Sequence, residues 1–183
     1  MGRLDTEVGV RRLSVVAIGM FVLGVLALLA CGGSSPADPH TASSSKVPGF
    51  DEARLTVQPG PGLAGGLDHA CSLLASTPAQ HEKGLMGRHD LAGYPAMVFT
   101  FEQDSTVSFY NRDVPIALTV AWFNAKGTFI DAKDLAPCPN VAGCPTIGSP
   151  APFRYALEVR KGGLAGIGVG PGSTITVAPG CGG

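Results

Sequence analysis

The chain has 183 residues, with 13 Lys+Arg against 14 Asp+Glu, 45% hydrophobic and only 15% charged residues. So near-neutral a balance leaves no concentrated basic face, which argues against a binder of nucleic-acid phosphates. Gly (26) and Pro (15) favour turns and short strands over long helices, and the length allows one domain plus extensions.

Arg3, Arg11 and Arg12 precede Leu13–Ala30, an uncharged and almost wholly apolar stretch. A positive flank before an apolar run is the layout of an export signal. Leu28-Leu29-Ala30-Cys31 resembles the lipobox of bacterial lipoproteins, in which a diacylglycerol is attached to the Cys thiol and cleavage falls just before it. No Lys or Arg follows until Lys46, so there is no stop-transfer charge cluster. Residues 1–30 are therefore expected to be a lipoprotein signal peptide, with Cys31 lipidated. The mature chain is then anchored to the outer face of the cell membrane by its acyl chains. Residues 31–66 are small, polar and without hydrophobic period, which reads as a flexible Gly/Ser/Pro tether. Phe50 to Val57 retains the composition of a short strand.

The folded domain is expected over 67–183. Ala70–Leu74 reads as a strand. Thr77-Pro78-Ala79-Gln80 carries an N-cap Thr, a Pro at the first helical position and a Gln that completes a capping box. That helix is short, because Gly84 and Gly87 interrupt it. Ala96–Phe101 and Thr106–Tyr110 read as strands. Ala117–Phe123 and Thr128–Ala132 form a hairpin around Asn124-Ala125-Lys126-Gly127. Asp134–Pro152 reads as loop. Phe153–Val159 alternates as a half-buried strand, Lys161–Ser173 is turn with one helical turn near Leu164, and Thr174–Val177 is the last strand. These elements predict a mainly β fold, α+β at the margin: a compact β-sandwich or partly closed barrel with one short helix.

Beyond Cys31 the chain has Cys71, Cys138, Cys144 and Cys181. An even number on an exported chain reads as disulfides. Cys138 and Cys144 share one loop and are paired on that ground, which leaves Cys71 with Cys181. The spacing of Cys138 and Cys144 is neither a redox Cys-x2-Cys nor a usual zinc knuckle. His81, His89, Met86 and Met97 are residue types that hold copper outside the cytoplasm. The plainer expectation is solvent-facing histidines beside buried methionines, with no metal and no cofactor. Asp131 and Asp134 beside Lys133 read as a solvated turn. No nucleophile-base arrangement is evident, so no catalytic residue is assigned.

Several segments carry a resemblance. They are Lys83-Gly84-Leu85-Met86-Gly87-Arg88, Gly93–Phe99, Ser108–Asp113, Ala121–Gly127, Pro152–Val159 and Gly168–Ser173. In this order they resemble the domain of unknown function 192 family, over about Cys71 to Val177. The resemblance implies a compact, mainly β fold and brings no established activity. The chain departs from the family pattern at Lys83, where Arg is usual, and at Thr119, where Asp is frequent. Tyr110-Asn111-Arg112-Asp113-Val114 stands where Trp-Met-Lys-Asn-Thr is usual.

Tyr110, Arg112 and Asp113, with Arg88 from the preceding Gly-rich loop, form the candidate binding patch: cations, an acid and an aromatic ring at a loop rim. The competing expectation is an Arg112–Asp113 pair that merely holds the loop. The function expected from these readings is a membrane-tethered module binding an envelope ligand or protein. The alternatives are an envelope enzyme of unidentified reaction type and a metal-handling lipoprotein.

Overall fold

The computed structural model describes residues 47–181. The expected signal peptide, Cys31 and the first part of the expected tether lie outside the described residues. Within them, no helix is long and apolar enough to cross a membrane.

The first described strand corrects the tether. β1 (Asp51–Gln58) is paired on both sides, antiparallel to β2 (Leu67–Ala75) and to β9 (Thr174–Pro179). Its Ala53, Leu55 and Val57 are buried while Arg54 and Thr56 are not fully covered, the period-2 pattern of a strand with one core face. The folded unit thus begins by Val47, not at residue 67. The strand composition of Phe50 to Val57 is visible in the sequence, but β2 and β9, which pair with it, are distant along the chain.

After β2, the helix α1 (Pro78–Lys83) starts at the capping box. Gln80 donates its backbone N–H to Thr77 Oγ1 at 3.3 Å, and Thr77 returns its N–H to Gln80 Oε1 at 3.1 Å. The Gln80 amide also donates to Gly49 O and Asp51 Oδ2, tying the helix to the start of β1. Gly84, at φ 43°, ends it. β3 (Met97–Ser105) then runs parallel to β2. β4 is only Phe109–Tyr110, because β3 takes residues to Ser105. β5 (Leu118–Phe123) and β6 (Phe129–Leu135) form the expected hairpin. The expected 134–152 loop contains β7 (Thr146–Ile147), which pairs with β4 as a separate two-stranded sheet. β8 (Phe153–Arg160) lies between β3 and β5, and Ala165–Ile167 forms a single 3-10 turn before β9.

The seven-stranded sheet has the order β6-β5-β8-β3-β2-β1-β9. It curls into a half-barrel whose two edges touch at one end, where Thr128 bridges Thr174. The structure is thus the partly closed barrel of the two architectures expected, not the sandwich. Every residue of β5 is buried, because both faces of the sheet are covered. Leu118, Val120 and Trp122 pack with Met97 and Phe99 in one core. Ala121 and Phe123 pack with Val98 and Leu157 in the other. The first core is roofed by Leu85, Leu91 and Tyr94 from the loop after α1 and by Phe109 from β4.

Two disulfides are present. Cys71 on β2 joins Cys181 beyond β9, with Cα atoms 5.4 Å apart across 110 positions of sequence. Cys138 joins Cys144, with Cα atoms 6.0 Å apart. Glu52 lies near the Cys71–Cys181 pair, but sulfurs bonded to each other are not thiolates and do not offer a metal site.

Candidate functional site

A narrow cavity of about 60 Å³ lies between α1, β3, β4 and β8, room for one or two waters or one small polar group. Phe99 and Phe101 from β3 and Phe109 from β4 form apolar walls. Their rings meet in edge-on contacts, Phe99 with Phe109 and Phe101 with Phe153, each with centroids 5.3 Å apart. Val107 lines the cavity while 51% exposed, which places it at the mouth.

Glu158 lines the cavity from β8. Alternation along the strand puts it on the same face as Ala156, opposite Met97 of β3 and Val120 of β5. It is 5% exposed, and no hydrogen bond to its carboxyl exists among the described residues. Burial among apolar neighbours pushes its pKa up to about 8. Near neutral pH this burial favours the carboxylic acid, which has an O–H to donate, over the carboxylate. Sequence reading missed it. Phe153–Val159, expected as a half-buried strand, is instead buried on both faces from Ala156 to Val159, because the sheet order places it between β3 and β5.

Asn111 lies at the end of β4, 2% exposed. Its Nδ2 donates to Ile116 O at 2.8 Å and Ala136 O at 3.1 Å, which ties the 111–116 loop to the end of β6. Those two carbonyls fix the amide's orientation, because a flipped amide would set oxygen against oxygen. Its Oδ1 is buried and without a hydrogen-bond partner.

Arg112 also lines the cavity. Its guanidinium lies over the Tyr110 ring at 5.4 Å, within cation–π range. It makes no ion pair among the described residues, and its Nε is a buried donor without a partner. The Arg112–Asp113 pair is therefore not formed. The backbone around Arg112 is held by Cys138, whose N–H donates to Asn111 O at 3.2 Å and which bridges both Arg112 and Val114. The Cys138–Cys144 loop thereby braces the rim of the cavity.

The expected patch is divided. Tyr110 and Arg112 line the cavity and an adjoining groove with Glu82 and Val141. Asp113, at φ 58°, faces a separate open groove of about 530 Å³ with His89, Pro115 and Pro137. Its carbonyl accepts from the Gly87 N–H at 2.7 Å. Arg88 turns away to Asp90, 3.4 Å from Oδ1. Asp90 is held below its usual pKa by the Ala92 N–H first and by Arg88 second.

The remaining sequence candidates are engaged elsewhere. His81 Nε2 is within hydrogen-bond distance of Ala75 O and Thr100 O, and its ring packs on Phe101 at 4.4 Å. Met97 is buried in the core and His89 is exposed. Asp134 accepts from the Thr119 hydroxyl and pairs with Lys161 at 3.0 Å, and both hold its pKa down.

Comparison with known proteins finds solved structures of similar fold, two of which are as follows. A structure described as a putative transcription regulator from Sinorhizobium meliloti 1021 superposes with a TM-score of 0.59 at 25% identity, covering 73% of this chain and 98% of that one. A protein of unknown function from Novosphingobium aromaticivorans DSM 12444 superposes at 0.56 with 21% identity, over 79% of this chain and 99% of that one. No curated protein matches. The profile of the DUF192 family, described as an uncharacterized ACR, matches residues 66–177, from the start of β2 into β9. On that match, which takes in every lining residue of the Glu158 cavity, the chain belongs to the DUF192 family.

Proposed function

We propose that this chain is an extracytoplasmic module, lipid-anchored through Cys31, that binds a small ligand in the Glu158 cavity. The observation that carries the reading is Glu158 itself: a buried acid without a hydrogen-bond partner, lining a cavity. A carboxyl that lines a cavity without a hydrogen bond from the protein is open to one from a ligand. The cavity also collects Arg112, whose buried Nε lacks an acceptor. Such convergence of polar groups in an apolar pocket is what ligand sites offer. The regulator description of the Sinorhizobium structure is not extended to this chain, whose net charge of −1 provides no phosphate-binding excess.

An enzyme reading draws on the same Glu158, since an acid titrating near 8 is suited to proton transfer. No hydrogen bond among the described residues links Glu158 to a nucleophile or a second acid-base group, and this reading ranks second.

Anchoring and binding are tested separately. Cys31→Ser should abolish lipidation, read by intact mass and by partition into a detergent phase; unchanged mass and partition would remove the anchor. For binding, a small-molecule library is screened by thermal shift on the full chain in detergent. Hits should be lost in Val107→Tyr, which plugs the mouth while leaving the core intact. Hits that survive Val107→Tyr would move the site elsewhere, and turnover of a hit would favour the enzyme reading.

A further inference from the structure

We infer that the Glu158 cavity takes the head of a primary ammonium compound with a short apolar stem. This deepens the binding reading above and rests on it. The unmet hydrogen-bonding capacity of the cavity is for accepting. The Glu158 carboxyl, on a residue 5% exposed, lines it and receives no hydrogen bond among the described residues. Asn111 lines it too, and its Oδ1 has no donor. The Asn111 amide cannot turn over to change this, because its Nδ2 is committed to Ile116 O and Ala136 O. The unpartnered donor, Arg112 Nε, is closed off by burial and sets no requirement on a ligand. A carboxyl oxygen accepts whether or not the acid is ionised, so a ligand bearing N–H groups suits Glu158 in either state.

Among N–H donors, charge selects an ammonium. The titratable groups lining the cavity are His81, Glu82 and Lys83 from α1, Tyr110 and Arg112 from β4 and the loop after it, and Glu158 from β8. The paired neighbours of Glu158 on β3 and β5 are Met97 and Val120. Lys83 is exposed and the Arg112 guanidinium lies over the Tyr110 ring. Neither acts on Glu158, whose pKa is raised by burial with no cation to offset it. At that separation they do not repel a cation held against Glu158 either. Glu158 is thus an acid without a counter-cation, and an ammonium supplies the charge and the donors together. Phe99, Phe101 and Phe109 suit the same ligand, because aromatic rings attract cations as aliphatic walls do not. The volume sets the size: about 60 Å³ holds an ammonium head and a short stem, and a longer molecule leaves past Val107 at the mouth. Where Glu158 is protonated, binding ionises it: the O–H proton goes to solvent and the carboxylate accepts from the ammonium. Primary ammonium groups come from free alkylamines or from the lysine side chains of a peptide.

The probes are methylammonium, Nα-acetyl-lysine methylamide, tetramethylammonium, acetamide and propionate, titrated at constant ionic strength into the full chain in detergent. Binding is read from the emission of the single tryptophan, Trp122, whose ring lies 6.1 Å from the cavity-wall Phe109, and from the melting temperature. Methylammonium or the lysine derivative should saturate a response, and whichever binds tighter identifies the source. Affinity should rise about tenfold or more between pH 6.5 and 8.5, as Glu158 ionises through its pKa of about 8. Calorimetry at pH 6.5 in buffers of different ionisation enthalpy should show a proton released on binding. Glu158→Gln should lose about tenfold or more in affinity at pH 8.5 and lose the pH dependence. Tetramethylammonium binding as tightly as methylammonium would overturn the N–H contacts. Tighter binding of acetamide or propionate, abolished by Val107→Tyr, would overturn the ammonium and leave the cavity as the site. A response to none of the five, or methylammonium binding that survives Val107→Tyr, would overturn both. A pH dependence that persists in Glu158→Gln would overturn the role given to Glu158.

Discussion

The Ile175 amide donates to the Gly127 carbonyl at 2.8 Å, and this hydrogen bond joins the two edges of the sheet. A second runs beside it, from Phe129 N–H to Ser173 O at 3.1 Å. Gly127 belongs to the β5–β6 turn and has φ 74°, and a Cβ there would overlap the Ile175 carbonyl oxygen. Gly127→Ala should therefore combine left-handed strain with a backbone clash and cost about 2–4 kcal/mol. Chemical denaturation measures it; a loss under 1 kcal/mol would show that the half-barrel does not depend on this contact.

Glu158 makes stability fall with rising pH. The acid is neutral when folded, with a pKa of about 8, and ionised when unfolded above its ordinary 4.5. Between these values the native state binds one more proton than the unfolded chain. Its contribution is complete below pH 4.5 and is lost as pH rises through 8. The total loss is roughly 5 kcal/mol, an upper value because buried sites relax. Glu158→Gln should flatten that slope. Unfolding curves from pH 5 to 9 on both proteins provide the comparison, and parallel curves would refute a neutral buried acid.

Asn111 is a structural tie as much as a wall of the cavity. Asn111→Asp would set a carboxylate against the carbonyls of Ile116 and Ala136 and should cost about 3 kcal/mol or more. Arg112→Gln should cost less, about 1 kcal/mol, because its guanidinium has no ion pair to lose. Equal losses in the two variants would contradict this division of labour.

The disulfides differ in what they constrain. The Cys71–Cys181 bridge spans 110 positions and the Cys138–Cys144 bridge spans 6. Loop-closure entropy assigns them about 5 and about 2 kcal/mol. Removing the small ring should cost less stability yet disturb the cavity more, because Cys138 donates to the Asn111 carbonyl and bridges Arg112. Unreduced peptide mapping should recover both bridges, with no free thiol at these four positions. A melting temperature that drops further for Cys138→Ser/Cys144→Ser than for Cys71→Ser/Cys181→Ser would reverse the ranking.

What the sequence determined by itself is local. The Thr77–Gln80 capping box, the glycine stop at Gly84 and the Asn124–Gly127 turn each depend on neighbours in the chain. Spacing also pointed to both cysteine pairs. The mainly β class followed from many short alternating runs punctuated by glycine and proline. The tertiary structure decided the rest. β1 is a strand because β2 and β9 flank it and supply its backbone partners, and no feature of Asp51–Gln58 announces those distant partners. Tyr110 and Arg112 share a cavity while Arg88 and Asp113 leave it, since side-chain direction at a loop rim follows from packing. Glu158 is an ordinary glutamate in sequence. Its charge is penalised because its strand lies between β3 and β5, where Met97 and Val120 are its paired neighbours; the desolvation of a charge depends on what the fold puts around it.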